Sequence, residues 1–143
     1  MKDDQYSLLK EKIKLNDFNS VFVLVDENTD KYCLEIFINK SEIDNYKKIV
    51  INSGEENKNI DTCINVWKEL NSQKADRKSL IINLGGGVLT DIGGFIASTY
   101  LRGIEWSFFP TTLLSQADSC IGGKTSINLG ESKNIIGNFY PPK

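Results

Sequence analysis

The 143-residue chain contains no histidine, three cysteines, three prolines and a single methionine. Lack of histidine removes the commonest metal ligand and the commonest general base. A metal would have to rest on carboxylates and thiols alone, and no cluster of these stands out, so no metal ligand is assigned. Cys33, Cys63 and Cys120 are odd in number and form no CxxC pair. Free thiols, buried or half-buried, are therefore expected rather than a disulfide framework or a redox pair. No apolar run is long enough to span a bilayer, and the opening MKDDQYSLLK has no signal-peptide core. A cytoplasmic protein with no membrane partner is the expectation. The formal net charge is −2, and the one short basic cluster lies at Lys10–Lys14, too thin for a nucleic-acid partner.

What is present is the balance of a globular domain, 40% hydrophobic and 25% charged. Runs of strand and helix character alternate. Ser20–Val25 (SVFVLV) is a β-branched and aromatic run of buried-strand type, followed by Asp26–Asp30, read as a polar loop. A shorter strand is expected around Ile49–Ile51, then a turn at Ser53–Asn57. Ile60, Cys63, Ile64, Trp67 and Leu70 recur at helical spacing over about 60–72, with Asp61 in the first turn. Ser79–Leu84 (SLIINL) reads as a strand running into Gly85-Gly86-Gly87, and Val88–Leu101 as a helix carrying small residues on one side. Glu105–Phe109 is a further strand ended by Pro110. Thr111–Ser119 suggests a helix, and Ile121–Asn134 a polar, glycine-bearing loop. The alternation predicts an α/β fold, a Rossmann-like parallel sheet with flanking helices, over one domain at 1–143.

In such sheets ligands bind beyond the carboxyl ends of the strands. The loops there carry Asp26 and Asn28, Glu55 and Lys58, the triple glycine, and Thr111-Thr112. Glycines between strand and helix let a backbone approach a phosphate closely, and the helix start offers free N–H groups. A tight packing turn is the plainer alternative. The pattern GxGxxG is not present. Asp91, four residues past Gly87, either caps the helix or accepts from a ligand or loop. Asp26 and Asn28 suit ribose hydroxyls, but are equally ordinary turn residues. Glu55 and Lys58 read locally as a surface i, i+3 ion pair of little worth. Gly122-Gly123-Lys124-Thr125 resembles the end of a P-loop but lacks the upstream glycine, since Asp118 stands there. Lys124 still suits a phosphate, as do Arg102 and Lys133 among the cations near the small-residue loops.

Taken together, GEENK (Gly54–Lys58), LGGGVLTDIGGFIASTYLRG (Leu84–Gly103), PTTLLSQADSCIGGKTSIN (Pro110–Asn128) and KNIIGNFYPP (Lys133–Pro142) resemble the dehydroquinate synthase family and the wider sugar-phosphate cyclases. The resemblance implies NAD beside this domain, with Asp26 and Asn28 at the adenosine ribose and Glu55 and Lys58 shaping the same pocket. It implies Gly86, Gly87 and Asp91 on the pyrophosphate and nicotinamide side, and Thr111 and Thr112 along the cofactor. Asp118, Lys124, Lys133 and Asn134 would lie where cofactor and substrate meet. Arg102 would reach a substrate phosphate across a homodimer interface. No residue is singled out as catalytic.

The family's substrate is a phosphorylated seven-carbon sugar acid. Hydride passes to NAD and later returns, phosphate is eliminated between, and an aldol step recloses the ring. A divalent metal, zinc or cobalt, polarises the carbinol from ligands in a second, helical domain. The chain stops at Tyr140-Pro141-Pro142-Lys143 without a closing element, which reads as a boundary inside a longer polypeptide lacking that second domain here. A sister cyclase making a cyclitol stays open as an alternative. So does an iron-dependent-type polyol dehydrogenase, although the PTTLLSQADSCIGGKT and KNIIGNFYPP stretches argue against it.

Overall fold

The computed structural model describes residues 3–117 and 123–143. The run SVFVLVD forms β1 (Ser20–Asp26), with its five central residues buried. A strand covered on both faces needs no polar alternation, which is why it reads as a continuous apolar run. The same holds for β3 (Ser79–Gly85), all seven residues of which are buried. Around them lie β2 (Lys47–Ile51) and β4 (Glu105–Pro110), giving a parallel sheet of order β2-β1-β3-β4. From β1 the chain steps outward to β2, then returns past β1 to β3. The carboxyl ends of β1 and β3 therefore flank the point where the winding reverses, the crevice at which open α/β sheets bind ligands.

Helices cover both faces. Phe22, Leu24, Ile49, Ile81 and Trp106 point to one side and pack with α4 (Ile60–Ser72) and α5 (Gly87–Thr99). Val21, Val23, Leu80, Ile82 and Phe109 point to the other, against Tyr6 and Leu9 of α1 (Asp3–Asn16). A short α2 (Glu27–Tyr32) leads into α3 (Leu34–Ser41), whose Leu34 and Phe37 complete that layer. Each fully buried side chain such as Phe22 or Phe37 contributes about 1.5–3 kcal/mol by leaving water. The thiol of Cys63 is buried in the first layer, and burial pushes its pKa up to about 12. Cys33 is half-buried, its pKa raised by burial first and Asp26 second. Cys120 lies outside the described residues.

Four expectations need correction. Asp26–Asp30 is not a loop, because Asp26 caps α2. Its Oδ1 accepts from the Thr29 N–H at 2.8 Å, and the Thr29 hydroxyl accepts from the Asp26 N–H at 2.9 Å, a reciprocal capping box that starts a helix directly at the strand end. The helix from Val88 stops at Thr99 rather than Leu101. A 3₁₀ turn follows at Tyr100–Arg102, in which Leu101 and Arg102 take positive φ of 48° and 67°. The helix read over 111–119 starts two residues later, as α6 (Leu113–Ala117), where the Thr112 hydroxyl accepts from the Ser115 N–H; residues 118 and 119 lie outside the described residues. Finally, the described part of the 121–134 stretch is not loop. It forms an antiparallel hairpin of β5 (Lys124–Leu129) and β6 (Ser132–Phe139), turning at Gly130, whose φ is 58°.

The hairpin packs on α5 because α5 is bare where they meet. A Cβ on Gly94 would stand 2.5 Å from the Thr125 methyl and 3.0 Å from the Trp106 ring. A Cβ on Gly93 would overlap the amide of Asn83 in β3, which is fully buried and finds no hydrogen-bond partner among the described residues. The base of the hairpin is tied to the sheet by Tyr140, whose C=O accepts from the Trp106 indole N–H at 3.1 Å. Its hydroxyl donates to the Ile104 C=O at 3.1 Å. Gly94→Val should lower unfolding free energy by about 1–3 kcal/mol through overpacking. A urea unfolding curve checks this, and an unchanged midpoint would mean that hairpin and helix are not in contact.

Candidate functional site

At the switch point, β3 ends in Gly85 and α5 starts at Gly87, with Gly86 as its N-cap in an extended conformation (φ −89°, ψ −169°). Neither Gly85 nor Gly86 takes positive φ, so the turn needs glycine for space rather than for backbone freedom. At Gly85 the space belongs to packing, since a Cβ would stand 2.5 Å from a Leu89 methyl. At Gly86 the nearest side chain is Thr112, 3.3 Å from an added Cβ. Packing against Leu89 thus accounts for Gly85 and does not account for Gly86. No side chain caps α5, so its first N–H groups remain available to an anion, where the helix dipole also favours negative charge. Thr111 closes the turn by donating its N–H to the Gly85 C=O at 3.0 Å.

Beside this turn the structure gathers a polar network. Lys58 follows a 3₁₀ turn at Glu55–Asn57, and its side chain is only 3% exposed. Its ammonium donates to Asp91 Oδ2 and Asn134 Oδ1, both at 2.6 Å, with Glu55 Oε1 at 4.0 Å. A buried ammonium is tolerated only with such partners. This overturns the reading of Glu55–Lys58 as a surface pair. The hairpin, more than sixty residues downstream, covers the lysine and removes it from water. Asp91 likewise resolves in favour of a loop contact, because the cap of α5 is Gly86.

Asn128, to which no role was given, belongs to the same network. It donates from Nδ2 to Glu55 Oε1 at 2.8 Å and accepts at Oδ1 from the Asn134 N–H at 2.9 Å. Ser126 adds a hydroxyl to Asn134 Oδ1 at 2.9 Å. Within a stretch read as loop an asparagine is an ordinary residue, so no local signal marked it.

The remaining expected residues are placed as follows. Asp26 lies at the carboxyl end of β1 with its Oδ1 engaged in the cap, and Asn28 is exposed in α2. Lys124 is exposed at the start of β5, and Lys133 is exposed in β6. Arg102 is exposed beyond the far end of α5, a helix of 13 residues. At 1.5 Å per residue that separates it from the glycine turn by roughly 20 Å. Asp118 lies outside the described residues. Among the described residues there is no group of three or more His, Cys, Asp or Glu side chains that could hold a metal ion.

A family model described as 3-dehydroquinate synthase N-terminal matches residues 48–143. The chain belongs to that family. The matched stretch contains the Lys58 network and the glycine turn but not Asp26 or Asn28. The 3-dehydroquinate synthase of Alkaliphilus oremlandii (strain OhILAs) is 48% identical over 124 residues, which is 87% of this chain and 34% of that protein. The chain thus spans about a third of that relative's length. Among solved structures, 2-deoxy-scyllo-inosose synthase in complex with carbaglucose-6-phosphate, NAD+ and Co2+ superposes with a TM-score of 0.85 at 25% identity, over 95% of this chain and 38% of that one. The 2-epi-5-epi-valiolone synthase of Streptomyces hygroscopicus subsp. jinggangensis 5008, with NAD+ and Zn2+ bound, gives 0.77 at 28% identity, over 89% of this chain and 36% of that one. The parallel sheet with flanking helices is therefore the dehydroquinate synthase-like fold, as expected from the sequence.

Lys58→Met keeps an unbranched side chain, one atom shorter, and removes the charge. It should cost about 2 kcal/mol, in the range for losing hydrogen bonds to a charged group, because Asp91 and Asn134 each lose their hydrogen bond from the ammonium. Chemical denaturation of the variant measures this. A loss no larger than a few tenths of a kcal/mol would mean that the pair is as weak as a solvated surface pair.

Proposed function

We propose that this chain is the NAD-binding half of a 3-dehydroquinate synthase. The whole enzyme converts 3-deoxy-arabino-heptulosonate 7-phosphate to 3-dehydroquinate and phosphate, a step of the shikimate route to aromatic amino acids. The observation that carries the reading is the family match over 48–143, which includes a glycine turn opening an uncapped helix at the sheet's switch point. The donor set suits a dinucleotide. Backbone N–H groups at the uncapped start of α5 are available to an anion such as a pyrophosphate, Gly86 presents no side chain of its own there, and the Thr111-Thr112 turn stands alongside.

In this reading Gly86, Gly87, Thr111 and Thr112 bind the cofactor's phosphates and line its path. Asp26 and Asn28 lie where the adenosine ribose would sit, at the end of β1. Glu55 and Lys58 shape the same pocket, with Lys58 supplying a fixed positive charge, and Asp91 faces the pyrophosphate and nicotinamide side. Lys133 contributes from the hairpin to the cofactor, and Asn134 to the substrate, while Asp118 and Lys124 serve both. Arg102, at the opposite end of α5, serves a substrate phosphate across a homodimer interface. NAD, when bound, would supply a reversible hydride acceptor for a substrate carbinol. A divalent metal would be held by a second domain outside this chain, since the described residues offer no ligand set.

Calorimetric titration of the chain with NAD tests the reading. Binding is expected, with Gly87→Val abolishing it by blocking backbone approach to the phosphates, and with no phosphate released from the sugar-acid substrate by the chain alone. Undiminished affinity in the variant would remove the phosphate-turn assignment. Turnover by the isolated chain would show that the catalytic groups are not confined to a second domain.

A further inference from the structure

The β5–β6 ladder is interrupted at one place. Ile127 pairs with Ile136 and Leu129 pairs with Ser132. Between these pairs β5 has one residue, Asn128, while β6 has Lys133, Asn134 and Ile135. The surplus on β6 must bulge, and a bulge beside a site re-aims the side chains it carries. Asn134 absorbs the bend with a φ of 55°, a conformation that asparagine enters more readily than most residues. The bulge therefore carries Lys133 and Asn134, two of the hairpin's candidate ligand residues, the third being Lys124 at the start of β5.

Asn128 holds this bulge from three directions. Its backbone N–H donates to the Lys58 C=O at 2.8 Å. Its side-chain Oδ1 accepts the Asn134 N–H at 2.9 Å, and its Nδ2 donates to Glu55 Oε1 at 2.8 Å. Asn134 in turn accepts from the Lys58 ammonium, which also meets Asp91. The circuit Glu55–Asn128–Asn134–Lys58–Asp91 joins the turn after β2, the hairpin and helix α5. An amide is required at 128, since one end must donate to a carboxylate while the other accepts from a backbone N–H.

We propose that Asn128 is a positioning residue of this site. It pins the three-residue bulge so that Lys133 and Asn134 stand in fixed register with the Lys58–Asp91 pair, setting the site before any ligand arrives. The positioning stands on geometry, and only its consequence for cofactor affinity rests on the NAD reading above.

Two measurements on the same chain test it. In amide hydrogen exchange by NMR, Asn128→Ala should raise exchange at the Asn134 N–H at least tenfold while β5 and β6 amides away from the bulge keep their protection. Asn128→Asp, which retains the acceptor, should leave Asn134 protected. In calorimetry, Asn128→Ala and Asn128→Asp should each weaken NAD at least tenfold. The double variant Asn128→Asp with Glu55→Gln, which reverses donor and acceptor across the same contact, should recover affinity relative to Asn128→Asp alone. A residue that merely stabilised the fold would show no such rescue. Unchanged Asn134 exchange in Asn128→Ala overturns the proposal, as does NAD affinity within twofold of the parent. If the parent chain itself binds no NAD, the cofactor reading fails, and the exchange result alone decides whether Asn128 positions the bulge.

Discussion

A lysine ammonium stays out of water only if other groups replace its hydration, and the site of this chain is organised around meeting that requirement for Lys58. Its partners come from separate parts of the chain. Asp91 is supplied by the first turns of α5, Asn134 by the bulge of the hairpin, and Glu55 by the turn that precedes the lysine. Removing water from Lys58 is the work of the hairpin, and the hairpin can reach it only because α5 is bare at Gly94. The charge, the bulge and the glycine thus depend on one another, although they are far apart in sequence.

Much of the scaffold was legible beforehand. The 60–72 helix followed from the spacing of Ile60, Cys63, Ile64, Trp67 and Leu70, although the face it buries is Cys63, Val66 and Leu70 while Ile60 and Ile64 are exposed. The inner strands followed from β-branched runs covered on both sides. The site was legible in its parts but not in its wiring. Glu55–Lys58 looks like a surface pair in any local window, because what buries it arrives from residues 124–139. The hairpin was missed because β6 is exposed along its whole length and lacks the buried alternation that marks a strand. Its signals were Thr125 and Ile127 alternating inward and Gly130 at the turn. Helix α2 was read as a loop because D-E-N-T-D is rich in turn formers. The reciprocal bonds of Asp26 and Thr29 make it a helix start instead.

Asp26 also illustrates a division of labour. One of its oxygens is committed to starting α2, so any role toward a ribose at the end of β1 is combined with a structural one. The glycine turn divides in the same way. Gly85 serves packing against Leu89, whereas Gly86 leaves backbone accessible. Residues of one type, adjacent in sequence, answer to different constraints.

The two walls of the site are held by different forces. Helix α5 lies against the sheet through apolar contact, with Ile92 and Ile96 fully buried and Gly94 admitting the hairpin to Trp106. The inner edge of the hairpin is fastened through Asn128 and Asn134, which hydrogen-bond to Glu55 and Lys58. Apolar association weakens on cooling, whereas hydrogen bonding to charged groups does not share that dependence. Temperature therefore acts unequally across the site, loosening the helical wall in the cold while the polar clasp keeps its grip.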